Sequence, residues 1–150
     1  MKQFKFTLSR LLDYKDQVLE TEKNTLAQLR QTRDGIERRI QTLEREFAET
    51  DRRLKEDQKK AISINQIKMY EYQFDSIRRQ IKQFKTELRK AELEVERQVQ
   101  GVVAASQEVS GLDKLKEKQL EEYQVSVARE NETVINEFIS GKLARESQGA

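Results

Sequence analysis

Arg78, Lys82, Lys85 and Arg89 are the residues whose types and spacing most suggest chemistry. They recur three or four apart, so on a helix they line one face. Such a row would offer donors to phosphate. A second row, Asp34, Glu37, Gln41, Glu44, Ala48 and Asp51, is mostly acidic and stands in the corresponding place earlier in the chain. In an antiparallel helix pair such flanks face each other. The pattern therefore favours ion pairing inside the molecule over a phosphate-binding stripe. Each exposed pair adds only about 0.2–1 kcal/mol, but a set of them disfavours other registers. A second constellation is aromatic: Tyr70, Tyr72, Phe74 and Phe84. Tyr70, Phe74 and Phe84 suit an apolar seam, where rings make large contacts. Tyr72 and Met69 lie off that seam and, with Ile64, are left for a partner.

Catalysis has little to work with. The chain has no histidine and no cysteine. It thus lacks the commonest general base, the commonest metal ligand and the thiol nucleophile. No glycine-rich phosphate loop is present. The carboxylates are scattered along solvated faces, without the makings of a concave pocket. The expectation is a protein that binds other proteins: no enzyme, no cofactor, no metal and no small-molecule substrate. With 29 basic against 27 acidic residues, the net charge of +2 lacks the basic excess of a general nucleic-acid binder.

The elements that hold these residues follow from composition and period. Of the 150 residues 35% are hydrophobic and 37% charged, too little apolar surface for a thick core. There is no proline, so nothing forbids long helices. Steps of four and three from Leu8 visit Leu12, Lys15, Leu19, Glu22, Leu26, Leu29, Arg33, Ile36, Ile40, Leu43, Phe47, Thr50 and Leu54. A sustained, mostly apolar heptad of this kind marks a coiled-coil helix rather than disorder. The polar positions weaken the seam but can fix its register.

The pattern changes at Ala61-Ile62-Ser63-Ile64-Asn65-Gln66-Ile67. Ser63 and Gln66 match a capping box, and Ile62 and Ile67 stand at the staple positions around it. The second seam reads Ile67, Tyr70, Phe74, Ile77, Ile81, Phe84, Leu88, Ala91, Val95, Gln98, Val102, Ala105, Val109 and Leu112. It then shifts phase to Lys116, Leu120, Tyr123, Val127, Glu130 and Val134, a stutter. Gly101 and Gly111 lie near the shift and mark a soft point, at roughly 1 kcal/mol each relative to alanine.

The fold expected is all-α: a long antiparallel two-helix coiled-coil hairpin whose second helix is the longer. It forms one domain over 1–150, with helix one at about 8–60, a turn at about 59–63, helix two at about 64–140 and a frayed tail at 141–150. At 1.5 Å per residue the helices would span roughly 80 and 115 Å. Phe4 should then face about residue 120. The stretch from Glu121 to Gly141 would overhang, with Tyr123, Val127, Val134 and Phe138 unpartnered and open to docking.

Two stretches resemble a known family. One is Phe4-Lys5-Phe6-Thr7-Leu8-Ser9-Arg10-Leu11-Leu12-Asp13-Tyr14-Lys15. The other is Leu112-Asp113-Lys114-Leu115-Lys116-Glu117-Lys118-Gln119-Leu120-Glu121-Glu122-Tyr123, followed by Asn136-Glu137-Phe138. With the turn region Ile62–Ile81 they resemble the flagellar export protein FliJ family. Asn136 departs slightly from the Asp-Glu pair frequent in that family. The resemblance implies a cytoplasmic component of the flagellar type III export apparatus. It would sit at the inner face of the cell membrane through that apparatus. Such proteins are similar to the two-helix stalk of the rotary ATPase γ subunit, but the short turn leaves no room for that subunit's α/β domain.

The partners implied are the hexameric export ATPase, the membrane export gate and export chaperones, with the chain a monomer alone. On this reading the ATPase end comprises Phe4, Phe6, Arg10, Lys15, Tyr123, Arg129, Phe138 and Lys142, its cations meeting acidic pore loops. The gate or chaperone end comprises Met69, Tyr70, Tyr72, Phe74, Ile77 and Phe84. The competing readings are a structural coiled-coil spacer, tether or holdase, and the equivalent stalk of a virulence secretion system.

Overall fold

A computed structural model describes residues 2–149. Two helices make up nearly all of it: α1, Ser9–Gln58, and α2, Ile64–Gln148. They form a helical hairpin with the second helix the longer. Their contacts group into two compact units. The terminal unit holds the chain up to Leu19 and from Ala104 onward, and the turn unit is Glu20–Val103.

The turn unit contains the chain reversal at Lys59–Ser63. The capping box forms as its spacing requires. The Ser63 backbone N–H donates to Gln66 Oε1 at 3.0 Å, and the Gln66 N–H donates to Ser63 Oγ at 3.2 Å. Two donors that the start of α2 would otherwise leave unpaired are satisfied there. Just inside the turn the Tyr70 hydroxyl donates to Asp57. That bond, followed by partial burial, pushes the phenol's pKa up.

Further along, the Phe47 and Phe74 rings meet with centroids 4.9 Å apart. Leu43 is wholly enclosed, and Leu26, Ile40, Ile77, Ala91 and Val95 are buried beside the seam's half-buried members. Two polar seam positions, Glu22 and Gln98, turn out to be each other's partners. Gln98 Nε2 donates to the Glu22 carbonyl at 2.9 Å and to its carboxylate at 2.5 Å. A Cβ on Gly101 would stand 3.1 Å from that carboxylate, so the missing side chain leaves room for the polar pair.

In the terminal unit, Phe6, Leu12 and Val109 form a buried cluster with Phe4, Leu19 and Leu112 packed on it. Lys15, another polar seam position, pairs with Glu108 at 2.7 Å. The hydrogen bond to Glu108, then that residue's charge, raises the lysine's pKa.

Three expectations need correction. The basic row does not meet the acidic row: among the described residues no ion pair joins Arg78, Lys82, Lys85 or Arg89 to Asp34, Glu37, Glu44 or Asp51. Arg78 instead reaches Asp75 on its own helix at 3.5 Å and lies 5.5 Å over the Phe47 ring, while Asp34 takes Arg33. Partners within four residues on the same helix reach these side chains at less entropic cost than partners across a seam.

Second, Tyr123 has partners within the chain. Its ring meets Phe4 at 5.6 Å and its hydroxyl donates to the Lys2 carbonyl. The residues before Ser9 are not helical, and extended backbone covers about twice the length per residue that helix does. Third, α2 does not end near residue 140. It runs through Gly141 to Gln148, since one glycine costs a helix only about 1 kcal/mol and Leu143, Ala144, Arg145 and Glu146 favour it. Ala150, the last residue of the expected frayed tail, lies outside the described residues.

Candidate protein-docking surfaces

The residues expected at the terminal end divide into two sets. Phe4, Phe6 and Tyr123 are brought together, but facing inward. Phe6 is 7% exposed, and Phe4 and Tyr123 are half-buried against one another. Lys15 is held by Glu108. They build the unit's closed part. Arg10, Arg129, Phe138 and Lys142 remain on the surface, and none of the three cations has an ion pair among the described residues.

From Ala128 on, every described residue of α2 is exposed. This stretch nevertheless carries Val134, Ile135, Phe138, Ile139 and Leu143, with Phe138 73% exposed. Spacings of three and four place Val134, Ile135, Phe138 and Ile139 on one side of the helix. Following the seam phase alone reaches Val134 and then Glu137, with Phe138 next to it. It misses Ile135, Ile139 and Leu143, whose mutual spacing of four was the available signal. An uncovered apolar helix face in water marks a surface for a partner.

In the turn unit the expected residues also separate. Ile77 is buried, and Tyr70, Phe74 and Phe84 are half-buried in the seam. Arg39 lies 6.0 Å over Phe84. Met69 and Tyr72, at 64% and 69% exposure, stay on the surface, as does Ile64. A groove missed by sequence reasoning lies elsewhere in the same unit. Phe47 and Ile81 line it together with Arg78, Lys82, Lys85, Arg89, Glu44 and Thr86. Its cations are the basic row left without acidic partners across the seam, and its apolar lining suits a protein segment.

Among the described residues no group of histidine, cysteine, aspartate or glutamate is arranged to hold a metal, and no helix is long and apolar enough to cross a membrane. The family profile described as flagellar FliJ protein matches residues 4–148, nearly the whole chain. The chain belongs to this family. As a FliJ-family protein it is a non-catalytic component of the flagellar export apparatus. A search of curated proteins and one of solved structures found no match. The FliJ family thus supplies the setting in which the two exposed surfaces are to be understood.

Proposed function

We propose that this chain is a stalk that docks through its terminal unit into the hexameric export ATPase and promotes the ring's assembly and activity without hydrolysing ATP. The observation that carries this reading is the bare apolar face of α2 around Phe138, with Lys142 one turn further along the same side. Burying such a face offers about 25 cal/mol per Å². The groove between Phe47 and Arg89 in the turn unit supports a second contact, with acidic segments of the export gate or of export chaperones. Charged walls steer such partners, and Phe47 and Ile81 give them something to bury against.

The test is stimulation of the cognate hexamer's ATPase by the full chain. Stimulation is expected, with most of it lost in Phe138→Ser although the helix content of that variant is unchanged. A folded chain that leaves the ATPase rate untouched removes the stalk role. Sedimentation separates this from a structural tether. A stalk is a monomer when alone, whereas a tether uses the same apolar face to form a stable dimer or larger species.

A further inference from the structure

We propose that the hairpin turn is a direct contact point for an anionic lipid bilayer. This goes beyond assembly through protein partners and does not depend on the ATPase reading.

Lys59 and Lys60 lie in the turn and Lys68 follows on the first turns of α2, all three exposed. Among the neighbouring carboxylates only Glu71, three residues beyond Lys68, has neither an ion pair nor a side-chain hydrogen bond among the described residues, and it stands against three lysines. Asp51 holds Lys55 at 2.9 Å, Glu56 holds Arg52 at 2.8 Å, and Asp57 accepts the Tyr70 hydroxyl. Among the described residues none of the three lysines has an ion pair. The turn therefore presents uncompensated positive charge.

Beside those lysines, Ile64, Met69 and Tyr72 are 71%, 64% and 69% exposed, and Ile67 is 39% exposed. Their placement decides the class of partner. Ile64, Lys68 and Tyr72 follow one line along the helix, while Ile67 and Met69 lie about 200° apart around it, at ~100° per residue. A helix laid in a protein groove buries one stripe, and these side chains do not form one. The interfacial zone of a bilayer is fluid and can surround a helix end from several sides. Lysine ammonium groups reach headgroup phosphates while their stems lie along apolar surface, and tyrosine is favoured at the same depth. A few apolar side chains joined to a small basic cluster make a peripheral contact that needs negative lipid.

Flotation of the full chain with vesicles tests this. The chain is expected to rise with phosphatidylcholine vesicles containing roughly one-third phosphatidylglycerol, and to stay down with phosphatidylcholine alone. Salt on the order of 0.5 M should release it. The triple variant K59Q/K60Q/K68Q should partition on the order of a hundredfold more weakly, at about fivefold per lysine. I64S/M69S should also lose flotation, with circular dichroism unchanged because both side chains are exposed. Phe138→Ser should float like the parent, which separates the turn from the other bare apolar surface. Equal flotation on both vesicle types, or a triple variant that floats like the parent, overturns the proposal. So does a folded parent that fails to float, and an acidic protein groove then becomes the turn's occupant.

Discussion

Leu43 and Phe138 are both apolar residues on long, charged helices, yet Leu43 has 0% of its surface exposed and Phe138 has 73%. Around Leu43 the facing helix supplies apolar seam residues, and each side chain is withdrawn from water by its neighbours. Around Phe138, α2 continues with every described residue exposed. The same chemistry thus does two jobs. Covered, it holds the hairpin closed. Bare, it stays in water and contributes little to folding.

The comparison breaks most visibly at its covered side. Leu43→Ala should lower unfolding stability by about 2–5 kcal/mol, the range for emptying a packed leucine site, as read from urea titration by circular dichroism. A loss below about 1 kcal/mol would mean that the seam relaxes around the gap and is not closely packed.

The glycines sharpen the same contrast. A Cβ on Gly111 meets nothing within 4 Å, so Gly111→Ala should gain about 1 kcal/mol of stability. Gly101→Ala should gain less, because the new methyl crowds the Glu22 carboxylate at 3.1 Å and disturbs its bond with Gln98. Equal gains at the two sites would show that the Glu22–Gln98 pair adapts freely.

At the bare side, Phe138→Ser should change unfolding stability by less than about 0.5 kcal/mol, as surface substitutions usually do. A larger loss in urea titration would mean that the face is covered in solution.

The smallest effect concerns Tyr70. Its phenol has a raised pKa through its bond to Asp57. The stabilisation from that bond is therefore complete below the ordinary tyrosine value, about 10, and is lost as pH rises through the higher folded value. Tyr70→Phe should melt below the parent at pH 7, and the gap should close as the parent's phenol ionises. A gap that persists unchanged into strong alkali would assign the difference to packing instead.

Much of this architecture was legible before any coordinates. Every seam position from Leu12 to Leu54 and from Tyr70 to Leu112 is buried or half-buried. A heptad repeat reports which side of a helix faces its partner, and backbone geometry enforces that directly. The reversal was legible for a similar reason, because the Ser63–Gln66 bonds are local and fixed by spacing.

What escaped were features that depend on flexible or non-helical parts. Arg78 can choose between Asp75, Phe47 and the far helix, and its long side chain leaves no trace of that choice in the sequence. The reach of Phe4 to Tyr123 depends on an extended arm, invisible to a helical register count. Among the residues expected to dock, spacing could not tell that Phe6 and Ile77 would be enclosed while Phe138 stays exposed. A hydrophobic residue at a seam position looks the same whether or not its partner exists.

The five residues from Lys59 to Ser63 carry a further consequence. Seam pairs such as Glu22 with Gln98 are specified by residue number and are indifferent to whether one molecule or two supply them. An opened hairpin could therefore rebuild every one of them with an identical, exchanged copy. What tilts the competition is tethering. A connector this short holds the returning helix at an effective concentration on the order of millimolar or above, so the identity of the seam's second strand is decided by the reversal and not by the seam.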